Sequence, residues 1–200
     1  MEIGIEGLII IILILIGIYF VHDYYTNEGL VLVKSDIDNH EYKVQPIDES
    51  ISEDDAKDAA NLMAQLKSKM LILVEHLRKT WGANDERIQM LNKNFDIDRV
   101  QEGRHDIPGV TSYSVNKGEK VVMCLRNRDN KLVDINTLFY VYAHEFTHMI
   151  CKEYNHTPLF WKIFKEVLEE AINIGIYVRQ DFENNPVSYC GMQITSSPLD

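Results

Sequence analysis

Residues 138–151 read Leu-Phe-Tyr-Val-Tyr-Ala-His-Glu-Phe-Thr-His-Met-Ile-Cys, an apolar run of helical length with a complete His-Glu-x-x-His motif set inside it. Length and apolar character predict a helix here. Polar side chains inside an apolar helix need partners, and a metal ion is one kind of partner. In a helix His144 and His148 stand one turn apart on the same face, so both imidazoles can grip one Zn²⁺ while Glu145 faces a water beside it. The chemistry this trio points to is metal-assisted hydrolysis. Three fixed letters are not enough by themselves: a third ligand and an open coordination position must come from elsewhere in the chain.

From Ile3 to Val21 nineteen residues carry a single charge, Glu6. At 1.5 Å per residue that length approaches the roughly 30 Å hydrocarbon core of a bilayer. We read it as one transmembrane helix with Tyr19, Phe20, Tyr24 and Tyr25 at its far interface. A basic segment before the run and a small-residue cleavage pattern after it are both missing, which argues against a signal peptide. The three cysteines, Cys124, Cys151 and Cys190, are widely spaced and include no CxxC pair. They suggest neither a disulfide framework nor a cysteine metal site, and this places the remainder of the chain on the cytosolic side.

Leu30–Val33 and Tyr42–Val44, with a polar loop between them, predict a small hairpin. An acidic connection follows Pro46, and Ser52 with Asp55 forms a capping-box pattern that opens a long amphipathic helix ending at Gly82. A short helix over 85–93 comes next, then a segment over 95–109 whose Asp96, Asp98, Glu102, His105 and Asp106 match no metal loop and are read as loop. Thr111–Val115 and Lys120–Leu125 predict a second hairpin, whose second strand is placed to edge a cleft and offer its backbone to an extended peptide. Asp134 or Asn136 is positioned to cap the motif helix.

After the motif, Asn155 marks a helix end, Thr157 suits an N-cap and Pro158 suits the first turn of a second helix. His156 therefore falls in the joint between two helices, where it can turn back toward the first. The competing third ligands are Glu166, Glu169 and Glu170 on the second helix. Tyr177 and Tyr189 are candidate donors to a developing oxyanion, and no role is assigned to Cys151 or Cys190.

HEFTH, a following histidine, and then Pro158, Phe160 and Trp161 resemble the small zinc peptidases of the WLM and SprT-like group. In that group HExxH and a variable spacer precede a histidine followed within a few residues by a Phe-Trp pair. The resemblance covers Thr111 to Tyr177 and implies a three-histidine site at His144, His148 and His156 with Glu145 as general base. The formal net charge of −11, from 31 acidic against 20 basic residues, argues against nucleic acid as a partner. At 200 residues the chain has room for one core and an appendage.

The expectation is an α+β fold: a small zincin-like domain over 52–200 with a short antiparallel sheet edging the HExxH helix. A transmembrane anchor over 1–22 and a hairpin with acidic linker over 23–51 precede it. Its function would be zinc-dependent hydrolysis of a protein or peptide substrate by a single-pass membrane protein. The alternative is a membrane-anchored binding or scaffold protein with a structural zinc.

Overall fold

The computed structural model describes residues 7, 11–18, 29–103 and 111–200. Among the described residues, beside the helical residues 11–18 and a 3₁₀ turn over Ile97–Arg99, four helices and three small sheets make a mixed α/β fold: α1 (Glu53–Trp81), α2 (Glu86–Asn94), α3 (Ile135–Ile150) and α4 (Pro158–Asn173). The strands are β1 (Val31–Lys34), β2 (Glu41–Val44), β3 (Val100–Glu102), β4 (Tyr113–Val115), β5 (Lys120–Met123), β6 (Val187–Tyr189) and β7 (Met192–Ile194).

α1 begins where the capping box predicts. The Ser52 side chain accepts from the Asp55 N–H while the Asp55 carboxylate accepts from the Ser52 N–H, which satisfies two donors that a helix start leaves free. Gly82, at φ 81°, ends the helix in a conformation that costs a residue with a side chain more. The face carrying Ala59, Leu62, Met63, Leu66, Met70, Leu73 and Leu77 is buried and backs the motif helix. Tyr42 and Val44 of the first hairpin enter the same core.

The central sheet has the order β3-β5-β4, with β5 parallel to β3 and antiparallel to β4. It is therefore mixed, where the sequence predicted an antiparallel sheet. β3 itself falls within the segment predicted to be loop: three residues are too few to show a strand period, and all three are buried. The second strand of the predicted hairpin, β5, is the middle strand, so the edge belongs to the first strand, β4. His105 and Asp106 lie outside the described residues.

Two further expectations are overturned. Of the apolar run Ile3–Val21, the described part is Gly7 and the helical residues 11–18. α1 is long enough but carries Lys67, Lys69 and Glu75 within it. Among the described residues no helix is long and apolar enough to cross a membrane, which goes against the single-pass membrane protein and its cytosolic orientation. The interfacial aromatics Tyr19, Phe20, Tyr24 and Tyr25 lie outside the described residues. Second, Cys124 and Cys190 form a disulfide across 66 residues, and Cys151 is free and buried. Wide spacing concealed this pair, because only the fold brings their Cα atoms to 6.3 Å.

Candidate metal centre

α3 starts at Asp134, whose side chain accepts from the N–H groups of Asn136 and Thr137, both at 2.9 Å. The helix is buried on most of its surface and runs sixteen residues to Ile150. Its C-terminal end is tied down from outside. The Asn94 side chain donates to the Met149 carbonyl at 2.7 Å, and Lys117, from the β4–β5 turn, donates to the carbonyls of Cys151 and Glu153. The chain then turns through Asn155, at φ 64°, and Thr157 caps α4 with Pro158 in its first turn. That turn brings His156 back over α3.

His144, His148 and His156 form one cluster, each with a ring nitrogen within 4.8 Å of the others. Ring centroids are 5.0 Å apart for His144 and His148, 4.8 Å for His144 and His156, and 4.9 Å for His148 and His156. Phe160 packs against all three at 4.4–4.9 Å, and Trp161 stacks on His156. The Phe-Trp pair thus forms an aromatic floor that limits where the rings can go. Burial first, then His148 and His156, hold His144 down to about 3. Burial, with His156 and Lys117, holds His148 down to about 4. Both imidazoles are then neutral at pH 7 and have a lone pair to give.

This donor set fits a metal. A tetrahedral zinc with nitrogen ligands at about 2.0–2.1 Å needs them roughly 3.3 Å from one another, and three imidazoles suit Zn²⁺ among other borderline cations. The Nε2 atoms of His144 and His156 are 2.9 Å apart, close to that spacing.

Glu145 is 7% exposed and lines the same cleft as the three histidines. Burial pushes its carboxyl upward, opposed by hydrogen bonds from the Ser114 hydroxyl and backbone. Ser114 sits in the middle of β4, so the edge strand and Glu145 are in contact. The competing carboxylates are used elsewhere: Glu166 pairs with Arg87, Glu170 with His76 at 2.7 Å, and Glu169 is exposed.

The cleft has a volume of about 750 Å³. Its far wall is the β6–β7 hairpin, which the sequence reading did not anticipate. Val187-Ser188-Tyr189 and Met192-Gln193-Ile194 do alternate, and Cys190 and Gly191 between them take φ 50° and 80°, the two positive values of a tight hairpin turn. Tyr189 lines the cleft, but its hydroxyl donates to the Cys124 carbonyl at 2.8 Å and meets Ser112 Oγ at 2.5 Å. Its one proton is thereby engaged. Tyr177 is packed against Phe139 and Tyr140 in the core and does not line the cleft.

The WLM domain model matches residues 39–198. The uncharacterized protein R325 of Acanthamoeba polyphaga mimivirus is 31% identical over 195 residues, which is 96% of this chain and 95% of that protein. The uncharacterized protein 136R of Invertebrate iridescent virus 6 is 36% identical over 72 residues, 34% of this chain and 40% of that protein. Among solved structures, the crystal structure of Wss1 from Saccharomyces cerevisiae aligns with a TM-score of 0.45 and 18% identity, over 63% of this chain and 84% of that one.

Proposed function

The chain belongs to the WLM domain family, and on that premise we propose that it is a zinc-dependent metallopeptidase. The observation that carries the reading is the convergence of three imidazoles, their ligand atoms within 4.8 Å of one another, beside a buried carboxylate in a cleft of about 750 Å³. Among the described residues the cluster supplies three protein donors, the number of an open catalytic site, whereas closed structural zinc sites have four. This favours the enzyme over a scaffold with a structural zinc.

His144, His148 and His156 would hold the ion. A zinc bound there supplies a Lewis acid that brings the pKa of water toward about 7 and polarises the peptide carbonyl. Glu145 takes the proton at its carboxylate and returns it to the leaving amine; its burial makes it a stronger base than a solvated glutamate. Ser114 holds that carboxylate in place. β4 presents its outer edge to the substrate backbone, which pairs with it as an added strand.

The test pairs metal analysis with turnover of a casein or peptide-library substrate. Glu145→Gln is expected to keep its zinc and lose activity by at least about a thousandfold, in line with the loss of a general base at the reacting water. His156→Ala is expected to lose most of its zinc. Activity retained in Glu145→Gln overturns the mechanism, and full zinc content in His156→Ala overturns the three-histidine assignment.

A further inference from the structure

The two ends of the cleft differ in chemistry. On the side of Lys117 it is lined by Asn116, Lys117, Glu153, Tyr154 and Asn155, polar apart from the Tyr154 ring, over which the Lys117 ammonium lies at 4.5 Å. On the other side, one helical turn before His144, α3 presents Tyr140 and Val141, and across from them β7 presents Met192 and Ile194. Residues two apart on a strand share a face, so Met192 and Ile194 act together. The Tyr140 hydroxyl donates to the Ser196 carbonyl at 3.0 Å, so its polar end is already engaged. The hairpin that carries Met192 and Ile194 is anchored by the Cys124–Cys190 disulfide and by Tyr189, which is 1% exposed.

β4 supplies a direction. Ser112, just before it, meets Tyr189 of the hairpin, and Lys117, just after it, lies at the polar end. β4 pairs on one side with β5, and its other edge faces the cleft. A peptide pairing antiparallel with that edge runs against β4, with its N-terminal part toward Lys117 and its C-terminal part toward the hairpin.

We infer that Tyr140, Val141, Met192 and Ile194 form the pocket for the substrate side chain on the C-terminal side of the scissile bond, and that Met192 selects a large apolar residue there. The inference rests on the peptidase reading. Leu or Phe entering this pocket exchanges water for apolar surface, whereas Asp would leave water with no partner for its charge. The flexible Met192 side chain can adapt to apolar residues of different shape.

Short hydroxamates of the form HONH–CO–CH₂–CHX–CO–NH₂ fix the register, because the hydroxamate is the metal-binding end and X, the side chain of the named amino acid, is the one variable group, borne two bonds from the metal-binding carbonyl like that of the residue after a scissile bond. Their affinity for the zinc-loaded protein is measured by calorimetry for X = Leu, Phe, Asp and Lys, alongside peptide-library cleavage. Wild type is expected to bind Leu and Phe at least about tenfold more tightly than Asp, the discrimination a pocket of this kind supplies. Met192 is 48% exposed, so its replacement leaves the core intact. Met192→Leu should keep the preference, and Met192→Lys should shift the Leu-to-Asp ratio at least about tenfold toward Asp. An unchanged ratio in Met192→Lys, or equal binding of all four by wild type, overturns the inference. Selective hydroxamate binding without any peptide cleavage upholds this pocket and overturns the peptidase reading, so the two fail separately.

Discussion

At the Glu145 carboxylate two effects oppose each other. Burial, the larger, disfavours the charged form; the Ser114 hydroxyl and N–H favour it. Removing the hydroxyl leaves burial less opposed, so Ser114→Ala should raise the Glu145 pKa further. The ascending limb of kcat/KM against pH, which follows ionisation of the base, should then move to higher pH, with kcat/KM lowered on that limb and unchanged on the plateau above it. A limb that stays where it is in wild type would show that Ser114 does not act on Glu145. Of these residues, His144, Glu145 and His148 were legible in the sequence because four-residue spacing fixes their relative positions in any helix. His156 was legible as a candidate from its place at a helix joint. Ser114 was not, since nothing local relates it to a glutamate 31 positions later.

Among the elements, the helices follow local signals closely: Ser52, Asp85, Asp134 and Thr157 each cap the helix that follows them. The β6–β7 hairpin depends on long-range contacts instead, with two three-residue strands held against the β5 end by Tyr189 and the disulfide. Cross-links that close loops of this length contribute about 2–4 kcal/mol, chiefly by restricting the unfolded chain. Cys190→Ser should lower the unfolding free energy in urea by that amount. A dithiol reductant should bring wild type to the midpoint of the variant and leave the variant unmoved; a variant as stable as oxidised wild type would exclude the cross-link.

For the molecule as a whole, one buried ion pair joins parts distant in sequence. Arg126, 1% exposed, donates to Glu102, 0% exposed, at 3.0 Å, and also to the carbonyls of Asp55 and Asn130. The second Glu102 oxygen accepts from the Gln45 N–H at 2.8 Å. First hairpin, α1, β3 and the turn after β5 thus meet at one charge pair. Arg126→Met should cost about 3–5 kcal/mol, because it removes the counter-charge of a carboxyl that burial already pushes toward a higher pKa, with only the Gln45 N–H left beside it. Adding Glu102→Gln, which keeps an acceptor for Gln45, should recover most of that loss in thermal or chemical unfolding; no recovery would mean that Arg126 acts by packing alone. The sequence predicts Glu102 to lie in a loop, and nothing local relates it to Arg126. By itself the sequence determined what short-range geometry dictates: the helices, their caps, the first two hairpins and the two-histidine motif. The tertiary structure decided which strand forms the cleft edge, that Cys124 and Cys190 pair, that the Phe-Trp pair floors the histidine cluster, and that the C-terminal hairpin walls the site. Those features depend on which distant surfaces bury one another, and no local period in the chain encodes that choice.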